Sequence, residues 1–381
     1  MWGRWKGAFC ALALCVATAA GQDEFSLESL GASDVEPQDA NEIAPPKRSS
    51  WDRLTDNLRL AIDLSSRSVV GTDGGDWTFR HFAGFDIYKV FSLPDGDWGT
   101  LILQGYLTRV DDAFQGGPYG FFEGEDDWEF VYRIFNFNYT ALPRQSINFR
   151  IGHFEVPFGL EQVINTNGTL RQYMHSKNIG VKADWGFSVN GVTDDIDYEV
   201  AIMRGTGNEW SSRGGPFLFA GRVGTSSEEN RFAGFSAYYG EIQSMAAIGR
   251  WRSGLVDPAT GAGVGATIRR YRFAVDAMVR VRGFGFLIEI TAGQDFDQEV
   301  ITSLGEVHWQ SRDERLLVYI QIKHCRQNYE TGWVHGTDVS VGFRFAPDTH
   351  WALSASFDGA VETFSGTERN GSASFQFRYR F

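Results

Sequence analysis

Apolar and polar positions alternate strictly over 372–381. Phe375, Phe377, Tyr379 and Phe381 fall between Ser374, Gln376, Arg378 and Arg380. A strand sends successive side chains to opposite faces, so one face here is aromatic and the other polar and cationic. A strand with lipid on one side and water on the other needs that division. The weaker reading is a plain edge strand of a soluble sheet. The same period recurs from residue 56, where Leu58, Leu60, Ile62 and Leu64 alternate with Asn57, Arg59, Ala61 and Asp63.

Read along the chain, the pattern predicts sixteen strands, at 57–68, 77–92, 98–110, 128–141, 145–156, 177–190, 195–204, 216–226, 230–240, 266–282, 283–293, 299–310, 315–325, 337–346, 349–358 and 371–381. In 128–141 the apolar phase runs Phe130, Tyr132, Ile134 and then switches to Phe135, Phe137, Tyr139. A bulge near Arg133, or a displaced boundary, accounts for the switch.

The connections supply an independent regularity. Even-numbered strands end in short turns such as Leu93-Pro94-Asp95-Gly96 and Ala346-Pro347-Asp348, with turn-forming residues. Most odd-numbered strands lead into long connections, at 111–127, 157–176, 205–215, 241–265, 326–336 and 359–370. Short turns on the side of both termini, long loops opposite and an even strand number describe an all-β transmembrane antiparallel up-and-down barrel.

Composition agrees. The chain has 31 Phe and 44 Gly, which suits many strands with aromatic girdles. A mean hydropathy of −0.26 excludes a helical membrane protein, which needs runs of ~20 apolar residues. The long apolar run is 9–20, preceded by Arg4 and Lys6 and ending in Ala17-Thr18-Ala19. Residues 1–20 read as a secretory signal. An acidic lead-in without periodicity follows at 21–55, and the barrel occupies 56–381. Cys10 and Cys15 leave with the signal, so Cys325 stands alone and no disulfide framework is expected. The formal charge is −13, with 48 Asp and Glu against 35 Lys and Arg, which argues against a nucleic-acid partner.

Candidate chemistry lies on the inner face. In 266–282, Tyr271, Phe273, Val275, Ala277, Val279 and Val281 share one face, and Arg270, Arg272, Asp276, Arg280 and Arg282 the other. A charge at the lipid midplane costs ~2–4 kcal/mol, so the arginines belong inside. The same parity turns Arg59, Arg150, Lys182, Arg222, Lys323, Arg344, Arg378 and Arg380 inward, with Asp63, Asp184, Asp197, Glu199, Asp276, Glu289 and Glu306 as balancing acids. Two readings stand side by side. The cations form a track for anions, or the charges pair across strands and order the lumen.

The stretch 150–161 reads RIGHFEVPFGLE, and Pro157 ends strand pairing there. The third long loop follows, carrying Arg171, His175 and Lys177. Gly152, Phe154, Glu155, Pro157, Phe158, Gly159, Leu160 and Glu161 resemble the corresponding stretch of the phosphate-selective porin O/P family. The resemblance implies an outer-membrane homotrimer. Its third loop, with Pro157, Glu161, Arg171, His175 and Lys177, would fold inward as a constriction, and lumen arginines would guide anions. Phe375, Phe377, Tyr379 and the terminal Phe381 likewise resemble the signal read by the outer-membrane assembly machinery. The sequence departs from the family in lysine, keeping only Lys47, Lys89, Lys177, Lys182 and Lys323 beyond the signal.

Rival chemistries are weaker. The seven histidines show no metal-ligand spacing, and no cofactor motif is present, since the Gly-rich run 261–265 lacks a Lys. A barrel hydrolase would need a convergent Ser, His and carboxylate, for which His324 and Ser340 are the nearest candidates. The expectation is a passive channel in lipid for small hydrophilic solutes with mild anion preference, phosphate among them. A closed barrel that binds a partner through its loops is the alternative.

Overall fold

A computed structural model describes residues 55–72, 77–93, 96–110, 128–142, 146–164, 169–174, 178–193, 195–207, 215–225, 231–243, 267–329, 332–362 and 371–381. The predicted signal, and all but the last residue of the lead-in, lie outside these. Sixteen strands are present among the described residues. The first eight are β1 (Leu58–Gly71), β2 (Thr78–Leu93), β3 (Gly96–Val110), β4 (Glu129–Thr140), β5 (Asn148–Glu155), β6 (Ala183–Val192), β7 (Ile196–Met203) and β8 (Phe217–Thr225). Then come β9 (Arg231–Gln243), β10 (Thr267–Val281), β11 (Phe284–Asp295), β12 (Gln298–Gln310), β13 (Leu316–Tyr329), β14 (Gly332–Phe345), β15 (Trp351–Glu362) and β16 (Gly371–Arg380).

Each strand pairs antiparallel with its sequence neighbours, and β1 pairs with β16 to close the barrel. Closure runs to the last residue: the Phe381 N–H donates to the Ile62 carbonyl at 2.9 Å, and the Ile62 N–H returns a bond to the Phe381 carbonyl at 2.8 Å. A closed sheet has no unpaired edge, which is the condition for crossing hydrocarbon.

Two predicted boundaries need correction. The sixth strand begins at Ala183 rather than 177, so the third loop runs 156–182 and Lys182 lies at its end. The predicted long connection 326–336 is instead two extended strands joined through 330–331, because β13 and β14 stay paired from Leu316↔Phe345 to Tyr329↔Gly332.

Alternation translates directly into faces. Along β16, Phe375 and Phe377 are exposed while Ser374, Gln376 and Arg378 are buried. Leu60 at 64% and Val200 at 62% exposure show an outer surface that is apolar where water would penalise it. Trp98, Trp309 and Trp351, near the short-turn end, belong to an interface girdle. At the phase switch in β4, Gln104 faces Ile134 and Gly105 faces Tyr132, leaving Arg133 as the extra residue of a bulge. The displaced Arg133 is buried and bonds Gln104 at 3.0 Å and Glu155 at 2.8 Å.

A lumen and the loop that enters it

The third loop fills part of the lumen because its own sequence is apolar. Its Val156, Phe158, Ile179 and Val181, with Phe154 at the end of β5, pack on inward-facing Ala201, Met203, Leu218, Ala220, Tyr238, Ile242 and Ala274. A second cluster joins Leu160, Tyr173 and Met174 to Phe232, Met278, Leu287 and Leu304. The loop therefore rests on β7–β12 as a helix would rest on a sheet.

Polar anchors fix its path. Pro157 is buried at the turn, and the N–H groups of Gly159 and Leu160 find side-chain acceptors. Gly159 donates to Ser236 Oγ at 3.0 Å, and Leu160 donates to Glu289 Oε2 at 2.8 Å. Gly159 has φ 71°, and a Cβ there would lie 2.4 Å from the Glu289 carboxylate, so only glycine fits this site. On the returning arm, Asn178 donates to Glu289 and Thr291, both at 3.1 Å, and accepts from Thr302 at 2.7 Å. Arg270 Nη1 donates to the Ile179 carbonyl at 2.6 Å. Lys182 pairs with Glu161 at 3.1 Å and lies 3.8 Å from Glu155. The two arms of the loop are thus tied to each other and to one carboxylate, Glu289.

The described segment 169–174 reaches the opposite wall. Arg171 pairs with Glu306 at 2.8 Å. The Gln172 N–H donates to Gln321 at 2.9 Å, and its Nε2 to Asp358 at 3.0 Å. Lys323 donates to the Gln172 side-chain amide oxygen, and Arg67 donates to the Thr169 carbonyl at 3.4 Å and to Gln376 at 2.9 Å. His175 and Lys177 lie outside the described residues.

The lumen cations take distinct positions. Arg270 and Arg272 share Asp295, at 2.5 and 2.6 Å, and both are fully buried. Arg222 reaches across β9 to Asp276 at 2.6 Å, over Gly234, where a Cβ would strike its guanidinium. Arg378 holds Asp63 through two bonds, 2.9 and 2.5 Å. Arg150 pairs with Glu199 at 3.0 Å but keeps 22% of its side chain exposed. Arg344 is half-buried, and Arg59, Arg280 and Arg282 are exposed at the short-turn mouth. Arg282 occupies the two-residue turn itself, with φ 52°. Arg280 and Arg282 have no ion pair among the described residues.

Sequence reasoning missed several participants. Asp295 lies two residues past the predicted end of its strand. Arg67 and Arg80 are buried cross-strand neighbours on β1 and β2; Arg67 continues the Arg59–Asp63 parity and was legible by extending it. Gln172, Gln321 and Asn178 had no signal, since a neutral amide in a loop or strand looks like any other.

No family model matches the chain, and no curated protein sequence does. Solved structures do. OmpT of Vibrio cholerae, an outer membrane protein, aligns in its trimer form with a TM-score of 0.57 at 12% identity, over 85% of this chain and 99% of that one. OprB of Pseudomonas putida gives 0.60 at 10% identity, covering 86% and 94%. An anion-selective porin from Comamonas acidovorans gives 0.57 at 9% identity, covering 85% and 99%. What these proteins share with the chain is the fold.

Proposed function

We propose that this protein is an outer-membrane porin of a Gram-negative-type bacterium, a passive and non-enzymatic channel for small hydrophilic solutes. The observation that carries the reading is a closed sixteen-strand barrel whose inner face is charged and amidic and whose third loop is fastened inside it. The two structural neighbours described as porins, or as an outer membrane protein in trimer form, support it. A homotrimer follows as part of the same proposal. A specific observation favours the rival, a closed surface-binding barrel: the third loop is bonded to both walls. Conductance of the purified full chain in planar bilayers decides. Discrete ohmic steps are expected; insertion without conductance would leave the closed barrel.

We further propose a mild anion preference, with phosphate among the solutes. Its basis divides by geometry. Buried Arg222, Arg270, Arg272, Arg378 and Lys182 sit against carboxylates and order the wall, whereas Arg59, Arg150, Arg280, Arg282 and Arg344 retain exposure to a passing ion. At contact distance one such charge is worth ~4 kcal/mol at an effective dielectric of about 20, before desolvation. Acids in the lead-in and outer loops act through water, where screening over ~8–10 Å mutes them. Under a KCl gradient the reversal potential should report anion preference, reduced by R280Q with R150Q and unchanged by R326Q on the outer wall. Cation preference in the wild type, or no shift in the double variant, overturns it.

The terminal aromatics are proposed as the assembly signal. Deleting Phe381 removes an exposed ring and both bonds to Ile62. Membrane yield should fall, and the assembled fraction should conduct normally. Unchanged yield would dismiss the role.

A further inference from the structure

Beneath the third loop two carboxylates meet. Register sets Asp276 of β10 directly opposite Glu289 of β11, and both are buried on the inner face. Like charges in that relation, with Cβ atoms ~4.5–5.5 Å apart, repel. Glu289 uses both oxygens on the loop, accepting from the Leu160 N–H at 2.8 Å and from Asn178 Nδ2 at 3.1 Å. Asp276 accepts from Arg222 Nη2 at 2.6 Å through Oδ1, and its Oδ2 is buried with no hydrogen-bond partner. Among the described residues the two carboxylates make no other hydrogen bond or ion pair.

The charges packed around the pair do not balance it. Arg222 is taken by Asp276, Lys182 by Glu161 at 3.1 Å, and Arg171 by Glu306 at 2.8 Å, where His308 also bonds at 2.8 Å. Glu289 is left with neutral donors. A buried carboxylate without a counter-charge is strongly unfavourable.

We propose that the facing pair Asp276 and Glu289 holds one proton while the third loop is seated, and that losing this proton unseats the loop. The hydrogen bonds say where the proton goes. Glu289 is the ionised member, because both of its oxygens already accept from N–H groups. Asp276 Oδ2 has nothing to accept from, and a proton there makes it a donor beside Glu289. With that proton the trio Arg222, Asp276 and Glu289 is neutral; without it the trio carries one buried negative charge. Linkage then fixes the sign. Lifting the loop lets water reach both carboxylates, and solvated carboxylates are ionised above pH ~5. The seated form therefore holds one proton more than the lifted form. Its stability falls as pH rises, and the opening equilibrium grows by up to roughly tenfold per pH unit.

The test is amide hydrogen exchange of the full-length protein folded in dodecyl-maltoside micelles. Peptides covering Gly159 and Leu160 are read by mass spectrometry, as protection relative to the free-peptide rate at each pH. Between pH ~6 and ~8, where open carboxylates are ionised, the wild type should lose protection by roughly tenfold per unit. Asp276→Asn puts an N–H where the proton sat and still offers an oxygen to Arg222. Its protection should be high and independent of pH. Glu289→Gln removes an acceptor from the loop, so its protection should be low and equally flat. A flat wild-type profile overturns the proposal, as does a D276N slope equal to that of the wild type. Protection that follows potassium concentration at fixed pH overturns it too, by assigning the missing charge to a metal cation. Should D276N lack the heat-modifiable migration of a folded barrel, the E289Q profile decides alone, and a pH slope there overturns the proposal. Exchange is read without current, so a barrel that fails to conduct leaves this test intact. Under the channel reading, on which only this last consequence rests, current should rise with pH in the wild type and stay level in D276N.

Discussion

The two walls of the lumen are built from the same kind of strand yet meet the third loop in opposite ways. On β7–β11 the inward positions include Leu218, Ala220, Phe232, Tyr238, Ile242, Ala274, Met278 and Leu287, and the loop lies on them through packing. On β13–β16 and β1 they include Gln321, Lys323, Ser340, Ser354, Ser356, Asp358, Ser374, Gln376 and Arg67, and the loop is hydrogen-bonded to several of them. Burial of apolar area has no competitor in water, whereas each polar contact replaces one that water would make. The first wall therefore holds the loop, and the second positions its tip.

That difference can be broken most severely at the packed wall. Phe158 is fully buried with its ring 5.2 Å from Tyr238, edge to face. Phe158→Ala should cost about 3–5 kcal/mol, the usual weight of a large core truncation. Single-channel conductance should rise as the loop lifts, and the denaturant midpoint in micelles should fall. Unchanged conductance would mean that the loop does not depend on this seat. Gly159→Ala acts on the same anchor with less force. It places a Cβ at φ 71° against Glu289, for about 1–3 kcal/mol of strain. Conductance should shift in the same direction by a smaller step, and suppression of that step by Glu289→Ala would identify the clash as its cause.

Much of this was written in the sequence, in unequal depth. Alternation located every strand, and the phase switch in β4 marked Arg133, because a bulge is the way an antiparallel pair absorbs one extra residue. The packed wall had a signature too. β8 reads FLFAGRVGT, and Phe217, Leu218, Phe219 and Ala220 are apolar on both faces. A strand covered on both sides loses its alternation, so that loss foretold something seated inside the barrel at β8. What stayed hidden was partnership. Arg270 and Asp295 meet because the β10–β11 register sets them opposite, and Arg222 finds Asp276 only because Gly234 leaves a gap on the strand between. Parity assigns a face; it does not choose among the acids on that face.

The smallest expected effect sharpens the comparison from the polar side. Gln172 is bonded by its main-chain N–H to Gln321, by its amide nitrogen to Asp358, and by its amide oxygen to Lys323. Gln172→Ala removes the last two and leaves the first. Neither wall group is stranded, and that is why the cost should be low. Asp358 still accepts from Ser340 and, at 3.3 Å, from Ser356, and loss of the Gln172 side chain would open buried Lys323 to a lumen water in place of the amide oxygen. The loss should be about 1 kcal/mol or less, the net worth of exchanged hydrogen bonds, and the denaturant midpoint should move little. The tip would then be held mainly by Arg171 on Glu306 and Arg67 on Thr169. Current noise in the open channel should increase while mean conductance stays near the wild-type value. A large drop in stability from Gln172→Ala would show that the polar wall also carries the loop, and the division of labour between the two walls would have to be given up.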